Sequence, residues 1–255
     1  MKESIYTMPL IDAFRSSDEC PFCFIERELE HHAVSFILGS GSSYMEDDIR
    51  METDRLGFCR HHYKMMFDYG NRLGTALMLS THFHKLNQEL EKQIHDFSHS
   101  KPSFLQKLKK SSPDPSQPGT NIGAWVTEKE SQCYICNHIH QNYPRYLSTF
   151  FELYLHNEEF VSLFQNSKGF CLPHFRDLTE EAQIRLKGKE QSAFYTTLFS
   201  LMQTNFKRLE EEVTWFVDKC DYLNRDKDWG NSKDSIQRCM QKAAGGYPAD
   251  SVFTE

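Results

Sequence analysis

The stretch "GFCRHHY" at residues 57–63 has a second copy, "GFCLPHF", at residues 169–175, so the pattern Gly-Phe-Cys-x-x-His-aromatic occurs twice in one chain. Each copy follows a Cys-x-x-Cys pair, "CPFC" at residues 20–23 and "CYIC" at residues 133–136. The spacing between the pair and the GFC element differs by a single residue in the two copies. A unit that contains both elements is therefore duplicated, and this duplication governs the fold and the candidate site.

The duplicated residues are of the types that bind tetrahedral zinc, for which cysteine thiolates and histidine imidazoles are the usual ligands. The cysteine and the histidine of each GFC element are three residues apart, so on the first turn of a helix both side chains would face the same way. Gly57 and Gly169 would allow a sharp turn into that helix, and Phe58 and Phe170 would pack beside the metal. We predict two closed Cys3His sites: Cys20, Cys23, Cys59 and His62 in the first copy, and Cys133, Cys136, Cys171 and His174 in the second.

Zinc is the first choice for both ions, and an iron-sulfur cluster is the alternative, because thiolate-rich sites hold either. Four protein ligands close the tetrahedron, as in structural zinc sites, whereas hydrolytic zinc keeps one position for water. Disulfide exchange is less favoured, since thioredoxin-type chemistry expects a strand-to-helix setting. His138 and His140 lie close to Cys136 and are alternative ligands in the second copy.

The sequence between the motifs indicates helices. Residues 24–38, 72–97 and 191–217 carry apolar residues three and four positions apart, while alternation with a period of two is scarce. We predict an all-α fold of two duplicated helical units, each stapled by one Cys3His site and packed together through long helices. The predicted organisation is a first helical unit at 1–110, a flexible Pro- and Ser-rich linker at 111–121, a second helical unit at 122–220, and a C-terminal loop and helix at 221–255.

Composition narrows the class of protein. The chain has 255 residues, enough for a sizeable core without cross-links, so its eight cysteines need another explanation. With 36 acidic and 29 basic residues the net charge is -7, which makes nucleic acid an unfavourable partner. No apolar run reaches the length of a signal peptide or a membrane span. We expect a cytoplasmic protein, where paired cysteines are typically metal ligands or redox centres.

A second candidate site is the C-terminal stretch "DYLNRDKDWGNSKDSIQR" at residues 221–238. Part of it has a simple structural interpretation, as the cap and first turn of a last helix. The isolated tryptophan and the lysine would instead supply a stacking face and an anion contact. The candidate cofactor-binding residues are Trp229, Asn231, Lys233, Asp234 and Arg238.

The two cysteine signatures, together with "MKESIYTMPLIDAF", "NRLGTALML" and "DWGNSKDSIQR", resemble domain-of-unknown-function family 6062. The resemblance covers nearly the whole chain. It implies a bacterial, cytosolic origin and supplies no activity or functional residues.

Two classes of function fit these observations. The first is a binding or regulatory protein in which structural metal sites hold helices around a cleft for a small molecule, a peptide or a partner protein. The second is an enzyme, either an iron-sulfur redox protein or one whose active site uses residues 221–238. Whether the protein is an enzyme stays open. The long apolar helices fit packing within the chain and packing against a second copy equally well.

Overall fold

The computed structural model describes residues 4–97 and 118–246. Within these residues the chain forms eleven α-helices and no strand, which confirms the predicted all-α fold. None of the helices in the described ranges combines the length and the apolar character that a membrane span requires. The helices are α1 (Thr7–Arg15), α2 (Pro21–Leu38), α3 (Asp47–Leu56), α4 (Arg60–Tyr69), α5 (Arg72–His95), α6 (Asn121–Ser131), α7 (Tyr134–His156), α8 (Glu158–Gln165), α9 (Leu172–Arg185), α10 (Gly188–Asp218) and α11 (Ser235–Ala244).

The described residues form two compact units. Unit 1 contains residues 4–30 and 139–246, and unit 2 contains residues 31–97 and 118–138. These units differ from the consecutive segments 1–110 and 122–220 that the sequence predicts. Residues 111–117 of the predicted linker lie outside the part of the chain that the structure describes.

Two long helices explain why the units do not follow the order of the repeats. The boundaries between the units fall inside α2, after Glu30, and inside α7, after His138. α2 has 18 residues, so it carries the chain about 27 Å from the Cys-x-x-Cys pair at its start. The GFC element of the same repeat follows only after this displacement, and it belongs to the other unit.

Unit 1 is built around an aromatic core. The Phe150 ring is fully buried, and its centroid lies 5.1–6.5 Å from those of seven other phenylalanines. Edge-to-face and stacked arrangements of this kind add to the free energy gained by burial. Phe170 of the second GFC element belongs to this core, and its centroid lies 5.9 Å from that of Phe22. The residues next to the second GFC cysteine are therefore anchored by the core of unit 1.

In unit 2, α3 packs against α5. Leu56, Met65 and Met78 are buried there, and the Thr81 hydroxyl donates to Asp54 Oδ1 at 2.7 Å. The Nδ1 of His82 lies 3.0 Å from the main-chain oxygen of Asp54. Because a carbonyl oxygen only accepts, His82 donates from Nδ1, and this bond fixes its ring beside Gly57 at the end of α3.

Candidate metal centres

The four cysteine-containing elements share one local structure at the start of a helix. Cys20 directly precedes α2, Cys133 precedes α7, and Cys59 and Cys171 are the N-cap residues of α4 and α9. The backbone angles of the two GFC cysteines are nearly equal, with φ -74° and ψ 167° at Cys59 and φ -71° and ψ 162° at Cys171. The fourth residue of each element lies in the first helical turn. The positive end of each helix dipole therefore lies beside the sulfurs and favours the thiolate form.

Centre 1 lies in unit 1 and is formed by Cys20, Cys23, Cys171 and His174, all buried. The Nδ1 of His174 lies 3.1 Å from the sulfur of Cys171, 3.3 Å from that of Cys20 and 3.6 Å from that of Cys23. The sulfurs of Cys23 and Cys171 are 3.6 Å apart. Ligands of a tetrahedral zinc ion would be separated by about 3.6 Å for nitrogen and sulfur and about 3.8 Å for two sulfurs. The four ligand atoms thus already lie close to the corners of such a tetrahedron.

Centre 2 lies in unit 2 and is formed by Cys59, His62, Cys133 and Cys136. The Nδ1 of His62 is 3.2 Å from the sulfurs of Cys59 and Cys133 and 3.5 Å from that of Cys136. Cys59 and Cys136, whose sulfurs are 3.9 Å apart, are half-buried rather than fully buried. Centre 2 therefore has the same ligand set as centre 1 but is more accessible to solvent.

The eight predicted ligands thus gather in two groups of four, but the predicted pairing is wrong. The Cys-x-x-Cys pair of each repeat meets the GFC element of the other repeat, so Cys23 shares a centre with His174 and Cys136 shares one with His62. The physical reason is the course of α2 and α7, each of which begins at one centre and ends in the other unit. Within unit 2, the N–H of Tyr134 donates to the main-chain oxygen of Gly57 at 2.9 Å and joins the two ligand elements directly.

His138 and His140 are in neither group of four, although the sequence left them as alternative ligands. His138 belongs to unit 2 and His140 to unit 1. The second-copy histidine that joins a cysteine group is instead His174 of the GFC element.

The orientation of His174 is fixed by a carboxylate. Its Nδ1 faces the three sulfurs of centre 1, and its Nε2 lies 3.3 Å from Oε1 of Glu26. A metal-binding histidine commonly donates its other ring N–H to such a carboxylate, which fixes the tautomer and makes the ligand nitrogen more basic. Glu26 carries no sequence signal of this role, because a glutamate on the surface of an amphipathic helix is common.

The proton affinities of the thiols differ sharply within each centre. Burial raises the pKa of the Cys20 thiol, but hydrogen bonds with Cys171 and Cys23 outweigh burial and bring it well below its ordinary value. The bond with Cys171 correspondingly raises the pKa of Cys23. In centre 2, the hydrogen bond with Cys136 lowers the pKa of Cys133 to about 3. Several adjacent thiolates repel one another, so neighbouring sulfurs of one centre share a proton. A divalent cation would allow all three thiols of a centre to be deprotonated.

Both predicted glycine turns are confirmed. The φ angle is 61° at Gly57 and 75° at Gly169, in the region that favours glycine. At Gly57 the backbone is also close to a side chain, since a Cβ placed there would lie 2.9 Å from Cε1 and Nε2 of His82. Gly57 therefore meets two requirements that only a glycine satisfies, a positive φ and a close approach.

We expect Gly57→Ala to destabilise the protein by about 2–3 kcal/mol, because the new methyl group adds a steric clash to the backbone strain. Gly70→Ala is the comparison variant. Its φ of 87° and ψ of -11° lie in the left-handed helical region, which is less restrictive for alanine than the φ of 61° and ψ of -158° at Gly57. No atom of the described residues lies within 4 Å of a Cβ at Gly70. The free energy of unfolding of Gly70→Ala should fall by only about 1 kcal/mol. Urea unfolding, monitored by circular dichroism, gives the free energy of unfolding of both variants. Equal destabilisation of the two variants would contradict the special requirement for glycine at residue 57, which combines its backbone conformation with its close approach to His82.

Four of the five candidate residues in the C-terminal stretch line one depression of about 420 Å³ in unit 1, together with Lys168, Arg208 and Glu212. These four are Asn231, Lys233, Asp234 and Arg238. Trp229 is not among the lining residues. Its ring packs 5.5 Å from that of Phe216, and the Nζ of Lys219 lies 5.3 Å from it.

Arg238 is held by several partners at once. Its guanidinium donates to the carboxylate of Glu212, to the main-chain oxygen of Asn231, and to Asp234 Oδ1 at 2.8 Å. It also lies 3.4 Å from Oε1 of Glu19, the residue before the first ligand of centre 1. These bonds give Arg238 a structural role, which is to attach α11 to the segment that precedes Cys20.

The same attachment involves two residues that sequence reasoning missed, Glu19 and Lys242. Glu19 is 3% exposed, and Lys242 is 2% exposed and donates from Nζ to the main-chain oxygen of Glu19. After α11, Gly245 reaches centre 1: a Cβ there would lie 3.7 Å from the sulfur of Cys171 and 4.0 Å from that of Cys23. The end of α11 therefore covers centre 1. One acidic residue and one lysine in an amphipathic helix give no pattern from which this could be predicted.

Comparison with known proteins places the chain in a family without assigning a function. No curated protein and no solved structure matches it. A family model described as "Family of unknown function (DUF6062)" matches residues 1–250, in agreement with the resemblance seen in the two cysteine signatures. Because this match covers nearly the entire sequence, the chain belongs to the DUF6062 family.

Proposed function

We propose that the protein is a helical binding or regulatory protein in which one structural zinc ion per unit fixes the arrangement of the helices. The supporting observation is that each centre joins the N-termini of two helices that are distant in sequence, through four protein ligands. When bound, zinc supplies the positive charge that allows three thiolates to occupy one buried site. The ligands of centre 1 connect α2 to α9, and those of centre 2 connect α4 to α7.

The distances favour a single ion over an iron-sulfur cluster. All four ligand atoms of each centre lie within 4.8 Å of one another. A cluster distributes its thiolates over several iron atoms, so its ligands surround a larger volume than those of one ion. The closed set of three cysteines and one histidine is also typical of structural zinc, since hydrolytic zinc keeps a water position. These features support zinc at both centres.

A reducing location, the cytoplasm, is part of this proposal. All eight cysteines are free. The sulfurs of Cys23 and Cys171 are 3.6 Å apart, far beyond the bond length of a disulfide, about 2.05 Å. Thiolates that bind zinc must stay reduced, and the cytoplasm maintains that state.

The enzyme hypothesis has less support. Two of the charged residues of the 221–238 stretch are engaged in folding: Asp234 and Arg238 pair with each other, and Arg238 also pairs with Glu212. A catalytic group must be free to contact a substrate. The binding or regulatory role is therefore the one that the geometry supports best.

The test of this proposal is the metal content of protein purified without added metal. We expect two zinc ions per chain by mass spectrometry of the metals, in a colourless solution. Cys220→Ser is the control variant, because Cys220 is an exposed thiol outside both centres, and it should also contain two zinc ions. Iron with acid-labile sulfide, or protein that folds without metal, would contradict the proposal.

A further inference from the structure

Unit 2 contains a second feature that the metal centres do not explain, a pocket of about 730 Å³ beside centre 2. This volume is within the range of about 300–1,000 Å³ that small-molecule sites occupy. Most of the wall is apolar and comes from α3, α5 and α6. The apolar residues that these three helices contribute are Leu56, Leu79, Phe83, Leu86, Trp125 and Val126.

The apolar wall is incompletely covered. Phe83 is 56% exposed and Val126 is 39% exposed, although both lie in the pocket. Removing apolar surface from water contributes about 25 cal/mol per Å². The aromatic rings of Phe58, Phe83 and Trp125 also offer edge and face contacts to another aromatic ring. A flat apolar molecule would therefore gain free energy by entering this pocket.

A buried hydrogen-bond acceptor lies in the same wall. His82 is only 8% exposed, and its Nδ1 is used as the donor to Asp54, which leaves Nε2 as an acceptor. Among the residues that the structure describes, Nε2 has no hydrogen-bond partner, yet it is not sealed from solvent. Its ring edge faces Gly57, another residue of the pocket wall. The pocket thus presents one buried acceptor, on His82, that a ligand donor would satisfy.

The charged side chains that line the pocket do not favour an ionic ligand. Lys129 is neutralised by Glu89 at 2.6 Å. The two lining residues that carry charge without an ion pair in the described ranges are Arg60 and Glu130, and they have opposite signs. Outside centre 2, the charged side chains of the wall therefore add no net charge that would favour an anion or a cation.

We propose that this pocket binds an uncharged aromatic compound with one hydroxyl or N–H donor, which donates to Nε2 of His82. This inference deepens the proposed function by naming a class of ligand, and it rests on that function only in requiring a folded, metal-loaded unit 2. The apolar walls supply most of the affinity, and His82 supplies the preference for a donor.

The test uses 2-naphthol as the probe and 2-methoxynaphthalene, which has the same ring system without a donor, as its matched partner. Both are titrated into the metal-loaded full chain and followed by calorimetry. We expect one saturable site that prefers 2-naphthol. His82→Asn keeps a donor near the position of Nδ1 and removes Nε2. The variant should therefore bind 2-naphthol about 3- to 10-fold more weakly and bind 2-methoxynaphthalene with unchanged affinity.

A blocking variant makes the location testable. Val126→Trp should fill the pocket and abolish binding of both probes, whereas Val217→Trp, at a 64% exposed valine in unit 1, should bind both normally. Absence of saturable binding, or normal binding by the Val126 variant, would overturn the proposal. Zinc is counted in every sample: two zinc ions without probe binding refute the ligand site alone, whereas missing zinc refutes the proposed metal function.

Discussion

Replacing Cys20 and Cys171 together with serine should leave one zinc ion per chain, whereas replacing Cys20 and Cys59 should remove both ions. In the first variant centre 1 loses two of its four ligands and centre 2 keeps all of its own. In the second variant each centre loses one thiolate. The measurement is the zinc that each variant retains after equilibration with excess chelator.

The expected effect is large because zinc binding and folding are coupled. Structural zinc contributes about 10–16 kcal/mol of apparent binding free energy in small domains at neutral pH. A centre with a missing thiolate loses part of this free energy and yields its ion to the chelator. The loss of helical circular dichroism should follow the loss of zinc, so the Cys20/Cys59 variant should unfold further than the Cys20/Cys171 variant.

The control is the double replacement of Cys220 and Cys239, which belong to neither group of four and should leave two zinc ions in place. If the pairing followed the order of the repeats, the two ligand variants would exchange their results. One ion would then remain after loss of Cys20 and Cys59, and none after loss of Cys20 and Cys171. That outcome would contradict the geometry of both centres.

The identity of the ligands could be predicted from the sequence because it depends on local structure. Residues at positions i and i+3 of a helical first turn face the same way regardless of the rest of the fold. The pattern Cys-x-x-Cys or Cys-x-x-His thus predicts a half-site wherever a helix begins. The positive φ of Gly57 and Gly169 is local in the same sense, since it follows from the turn that precedes α4 and α9.

The partner of each half-site could not be predicted in this way. The four half-sites have equivalent spacing, so either pairing satisfies the ligand requirements of two tetrahedral ions. The choice depends on where α2 and α7 take the chain, and helix length alone does not give that direction. The N–H of Tyr134, which donates to Gly57, favours the observed pairing in unit 2, but the corresponding position in the other pair is Pro21, which has no N–H. The two copies therefore share no sequence feature that would indicate which Cys-x-x-Cys pair meets which GFC element.

The network around Glu19 was also beyond sequence reasoning. Its partners are Lys168, Arg208, Arg238 and Lys242, which are distant from it in sequence. An isolated charged residue is usually exposed, so burial of this carboxylate depends on the tertiary structure alone.

We expect Glu19→Gln to destabilise the protein by about 3–5 kcal/mol, the range found when one partner of a buried ion pair is removed. Arg208 Nη2 lies 2.6 Å from the Glu19 carboxylate, and Lys242 Nζ lies 3.6 Å from it. Among the described residues, Glu19 is the only carboxylate in ion-pair contact with buried Lys242, so loss of its negative charge would leave the lysine cation uncompensated. The free energy of unfolding, measured in urea on zinc-loaded protein, gives the size of the effect.

Two further variants separate this electrostatic explanation from a general sensitivity to mutation. Glu159→Gln removes a carboxylate from the surface pair with Arg15, where the side chains are 74% and 50% exposed, and should cost about 1 kcal/mol or less. Lys242→Met removes the cation that Glu19→Gln leaves uncompensated. Because the second change eliminates the unpaired buried charge, Glu19→Gln combined with Lys242→Met should be less destabilised than the sum of the single variants. Strict additivity, or equal losses for Glu19→Gln and Glu159→Gln, would show that charge compensation at Glu19 does not hold α11 over centre 1.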